Sequence, residues 1–246
     1  MTGSPPPSRV LVVQAASVRI PGSPDAGAEF REMKRGVTGA PYGHALAFDS
    51  LPSAQASDLP RQLLTHVPAV LHFSGRGTPG GGLRFLTDDG GDAPVSHEGL
   101  RKLLVGFAPD GLQLVVLNAC WSEELAVLLT EAVPCVIGTE GEIHDLNCLQ
   151  YAGELYRALA HGRSVHAAHM FAVAAVEFYG ANPSCLPELR TAPGVNADAV
   201  HVVRPEFRDP SPRAPVKPAG GTFLGRLRKT TLLRQSSPAW DPPQEG

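Results

Sequence analysis

The chain has 246 residues, 43% of them apolar and 18% charged, with a formal net charge of −3. These values permit a substantial buried core and lack the strongly basic balance of a nucleic-acid binder. No apolar run approaches the roughly 18 residues that span a bilayer, and the opening MTGSPPPS has neither the basic nor the apolar region of a secretory signal. Five strand signals follow in chain order, at 10–13, 44–48, 69–73, 112–117 and 134–138. Three are nearly continuous apolar runs, the pattern of strands buried on both faces of a parallel sheet. Helical patterns alternate with them. Ser57 and Asp58 are placed to cap a helix to about 66, Ser96 one to 105, and Ser122 one to about 132. Longer helices are expected at 145–160 and 164–179, and a short one near 29–34 within an otherwise irregular 19–43.

This alternation predicts a three-layer α/β/α sandwich with a mostly parallel central sheet. A final edge strand is expected at 198–203. The domain is expected over 9–204, after a disordered segment 1–8. From 205 to 246 the composition turns to Pro, Gly, Ser and charge, predicting a disordered tail. Within it GRLRKTTLLR at 225–234 is a basic island, read as solvated chain, or else as a docking segment or cleavable linker. The four cysteines, at 120, 135, 148 and 185, form no CxxC pair. Free thiols in a reducing compartment are expected, and with them a cytoplasmic location.

In open α/β sheets, sites form beyond the carboxyl ends of the strands. Two such ends carry chemistry here. The third strand runs into SGRG, with Arg76 between Gly75 and Gly77, and the fourth into NACWS, with Cys120 just ahead of a helix. A cysteine so placed is either a nucleophile or a small buried hydrophobe. The glycine-rich GRGTPGGG also invites an anion-cradle reading. It matches neither GxxxxGK[ST] nor GxGxxG, however, and LRFLTDDGGD after it reads as a hairpin rather than a helix.

Four ordered blocks, VLHFSGRG, LVVLNACWSEELA, VPCVIGTEGEIHD and LYRALAHGRSVHAA, resemble the CHAT family, caspase-like domains of the caspase/separase superfamily and clan CD cysteine peptidases. The resemblance covers about residues 9–180. It implies a caspase-like fold, a peptide or protein substrate or partner, no cofactor and no metal, in a setting such as regulated proteolysis or bacterial defence. It also implies that Cys120 is the nucleophile, and that position 76 is where the family carries its catalytic histidine within HFSGHG. Gly75 and Gly77 would frame the site and leave room for substrate backbone. Asp145, with Glu140 and Glu142 nearby, would line a pocket for a basic P1 residue, the alternative for Asp145 being a helix N-cap. Trp121 would wall that pocket or simply pack.

Arginine departs from the pattern in a way that matters chemically. Its guanidinium stays protonated and has no acceptor lone pair, so it cannot pass a proton to a departing amine. It can only favour a thiolate electrostatically. Among other histidines, His72 lies inside a predicted strand, and His97 and His144 fall in or beside loops. The expectation is a degenerate peptidase that binds peptides. The alternatives are an active endopeptidase cleaving after basic residues, with another base or with Arg76 an inactivating change, and a scaffold that docks a partner through its basic tail.

Overall fold

β1 (Ser8–Ala15) and β3 (Val70–Thr78) are inner strands, buried on both faces over most of their length. β1 pairs in parallel with β2 (Leu46–Pro52) on one side and with β3 on the other. β6 (Leu114–Asn118) adds to β3 in parallel, and β7 (Cys135–Gly138) to β6. β8 (Glu188–Thr191) closes the edge antiparallel to β7. The order is β2-β1-β3-β6-β7-β8. The structure, a computed structural model, describes residues 6–17, 19–20, 23–80, 82–142, 144–180 and 186–203, all within one compact unit, Met1–Asp209. The N-terminal residues 1–5, Cys185 and the tail expected from 205 lie outside them.

Alternation along the strands divides the core into two layers. Val10, Val12, Val70, Leu114, Val116 and Ile137 face α1 (Ala26–Val37), α5 (Asp145–Ala160) and α6 (Val165–Phe178). Leu11, Val13, Leu71, Phe73, Val115 and Leu117 face α2 (Asp58–Thr65), α3 (His97–Phe107) and α4 (Glu123–Leu129). The expected three-layer sandwich is therefore observed. β3 outruns its parallel neighbours, and its last residues, Arg76 to Thr78, pair antiparallel with β4 (Gly82–Leu86). β4 turns into β5 (Asp92–Val95), which makes the anticipated hairpin.

Several local expectations change. The edge strand is β8, not 198–203. Glu188 to Thr191 take the free edge of the four-residue β7, while 198–203 forms turns whose Val202 and Val203 are buried beneath the sheet. Val200 and Val202 present carbonyls to Val165 N and Ser8 Oγ rather than to a strand. His44 and Ala45 lie in a single 3₁₀ turn, so β2 begins at Leu46. The irregular stretch contains the 12-residue α1, capped by Asp25, whose carboxylate accepts from Ala28 N at 2.7 Å. Ser96 caps α3 as expected. Ser57 makes no such bond; instead Asp58 turns back to accept from Gln55 N. Ser122 is diverted to the strand ends described below, and α4 stops at Leu129.

Candidate active site

The carboxyl ends of β3 and β6 meet the start of α5 around a cleft of about 390 Å³. It holds Arg76, Cys120, Trp121, Glu142 and Asp145, brought together from three separate segments, with Glu29, Asn118 and Cys148 forming its floor.

The loop carrying Cys120 is clamped from two sides. Towards β7, Trp121 N donates to Gly141 O at 3.1 Å, and Ser122 N to Thr139 O at 2.9 Å. The buried Ser122 hydroxyl bonds to Ala119 O at 2.8 Å and accepts from Thr139 N at 3.0 Å. This explains why Ser122 does not cap α4. Trp121 takes a left-handed backbone, φ 55°, uncommon for a bulky residue; it is the corner that turns Cys120 into the cleft. Towards β3, the Cys120 carbonyl oxygen presses on Gly77, where any Cβ would collide with it. At Gly75 a Cβ would come within 2.9 Å of both the Ala15 carbonyl and the Phe73 ring. Both glycines line the cleft, and both are required by the chain's own packing before any substrate approaches.

Arg76 reaches the hairpin. Its Nη1 lies 3.6 Å from Asp92 Oδ2, while Arg84 holds the same aspartate through Nε at 2.6 Å and the Asp92 carbonyl at 2.9 Å. Two cations thus share one carboxylate, and Arg84 has the closer hold. Arg76 remains one-third exposed. No histidine lines the cleft among the described residues. His97 packs against Gly82 of the hairpin, and His144 directly precedes α5.

The acids divide differently from the sequence expectation. Asp145 is the first residue of α5, and the N-cap position belongs to His144, so Asp145 is not the cap. It stands in the cleft with Glu142. Glu140 opens instead on an adjoining groove with Glu123 and Glu124. Trp121, 38% exposed, separates the two and lines both.

One functional element escaped the sequence analysis altogether. Beneath the cleft, Glu29 of α1 is only 2% exposed and accepts at both oxygens. Oε1 meets His72 Nε2 at 2.5 Å and Asn118 Nδ2 at 2.7 Å; Oε2 accepts from Ser74 Oγ at 2.6 Å. Because a carboxylate only accepts, His72 donates from Nε2, and its Nδ1 faces Tyr156 OH at 3.2 Å. A fully buried histidine so engaged belongs to the support of the site rather than its surface. Asn118 also donates to Cys148 O, at 3.3 Å, and its Oδ1 is buried without a hydrogen-bond partner. The recognisable signal for Glu29 was its place on a helical stripe with Ala26, Phe30, Met33 and Val37.

Among the described residues no group of His, Cys, Asp and Glu is disposed to hold a metal ion, and no helix is long and apolar enough to cross a membrane. The cysteines differ sharply. Burial pushes the Cys135 thiol up to about 11, and burial, then the charges of Glu29, Cys120 and Asp145, push Cys148 well up. Cys120 alone of the three is partly exposed. With Cys185 replaced by Ser, iodoacetamide near neutral pH should modify Cys120 first and the other two at least about 100-fold more slowly, since only the thiolate reacts. Peptide mass mapping would read this, and equal labelling of Cys148 would refute the closed floor.

No family model matches the chain. Over 130 residues it is 28% identical to a Roc-COR-CHAT protease from an unknown prokaryotic organism, a match covering 51% of this chain and 12% of that protein. Its fold is similar to that of a secreted C11 cysteine protease from Bacteroides thetaiotaomicron, solved with an irreversible peptide inhibitor. That likeness has a TM-score of 0.51 at 13% identity, over 75% of this chain and 66% of the other. It is also similar to the Arg-specific cysteine proteinase gingipain R, with a TM-score of 0.52 at 9% identity, over 76% of this chain and 46% of the other.

Proposed function

We propose that this chain, a caspase-like domain similar to those of CHAT proteins, is a degenerate cysteine peptidase that binds peptide or protein segments without cleaving them efficiently. One observation carries the reading. The residue that shares the cleft with Cys120, at the position of the family's histidine, is Arg76, and its guanidinium is turned to Asp92. Acyl transfer from a peptide needs an attacking thiolate and a proton for the departing amine. The cleft retains the thiol, and no histidine lines it among the described residues to carry that proton. Glu142 and Asp145 favour a basic side chain in the bound segment.

The test is turnover. On fluorogenic peptides with Arg or Lys at P1, the chain and its Cys120→Ala variant should be equally slow. Turnover that Cys120→Ala abolishes would sink the pseudoenzyme reading. It would favour the second one, an active endopeptidase, for which the observation is the Glu29–His72 pair beneath the same cleft.

A further inference from the structure

Accepting that the cleft binds peptide, we infer that its ligand is a peptide ending in lysine or arginine with a free α-carboxylate, that is, the product of an earlier cleavage after a basic residue. The cleft is polar in two opposite senses. Its lining includes Glu142 and Asp145, and in its floor the 4%-exposed Asn118 leaves Oδ1 as a buried acceptor with no partner. The amide's orientation is settled, because its nitrogen serves the Glu29 carboxylate and the Cys148 carbonyl. An orphaned acceptor in a cleft that also holds carboxylates suits an ammonium or guanidinium group.

The same lining carries Arg76. Its ionic partner among the described residues, Asp92, is 3.6 Å away and held more closely by Arg84. Most of the fixed donor fork of Arg76 therefore remains available, and the Arg76–Arg84–Asp92 group has a net positive charge. A planar fork beside a cysteine meets a carboxylate well and a neutral peptide carbonyl poorly. A histidine at the same position would serve an internal peptide bond, whereas an arginine favours a chain that already ends there. The reaction that supplies this ligand is hydrolysis after Lys or Arg by another peptidase.

The test uses one fluorescein-labelled peptide in three forms: ending in arginine as the free acid, ending in arginine as the amide, and extended beyond arginine by one alanine. Fluorescence anisotropy with the full chain should show the acid binding at least about tenfold more tightly than either other form, the scale of one added charge-assisted pair. Arg76→Gln should abolish that preference, so that the acid and the amide bind that variant equally; Arg76→Lys should retain part of it. Asp145→Asn should weaken all three forms. Equal binding of the three forms, or a preference that survives Arg76→Gln, would overturn the inference and leave peptide binding intact. Failure of all three to bind would overturn peptide binding as well.

Discussion

Arg76→His should raise kcat/KM on peptides with Arg or Lys at P1 by about 10²–10⁴-fold, the usual contribution of a positioned general acid–base. The substitution is local. Residue 76 lies on β3 between two glycines already committed to tight packing, so an imidazole there inherits a fixed backbone. Removing the guanidinium strands no buried charge, because Asp92 keeps its bonds to Arg84. Cys120 is already partly exposed and lines the same cleft. Initial rates on a fluorogenic substrate provide the measurement, and Cys120→Ala placed on top should erase the gain. A folded Arg76→His variant with no gain would show that positions 76 and 120 do not work together.

Glu29→Ala should be the most destabilising of the single changes around the cleft, costing about 3–5 kcal/mol, because it strips the shared acceptor from three buried donors at about 1–3 kcal/mol each. It would leave the His72 ring, the Ser74 hydroxyl and the Asn118 amide without their shared acceptor in a site closed to water. For a domain of this size that is a fall in melting temperature of about 6–20 °C. Glu29→Gln keeps one oxygen for His72 and Asn118, and the Ser74 hydroxyl can rotate to accept from the new amide, so it should lose less than half as much. Thermal denaturation of the two variants decides the matter. A shift under about 3 °C for Glu29→Ala, the worth of roughly 1 kcal/mol, would mean that the cluster is incidental to stability.

The sheet was legible because buried parallel strands are continuous apolar runs, and the positions of Arg76 and Cys120 followed from where those runs stop. Glu29 was not legible as a site residue. Its helix begins among Pro21, Gly22, Pro24 and Gly27, which read as a loop, and its partners are 43 to 89 residues away. Only the apolar stripe shared with Phe30 and Met33 marked it, and that stripe speaks of burial, not of company. The edge strand was missed for the opposite reason. Glu188 and Arg190 look like solvated loop, yet Arg190 pairs with Glu123 of α4 and with Glu188, and those ion pairs make a polar strand acceptable at the rim. Conversely, the valines at 202 and 203 are buried in a stretch of turns and bends, so their apolar character marked burial and not a strand.

The contact between Gly77 and the Cys120 carbonyl has a consequence for how such a cleft can change. It is backbone against backbone, so it sets where the sulfur sits without consulting the side chain at 76. Shape and reactivity are therefore held by different atoms. The recess can survive intact while the group at position 76 is exchanged.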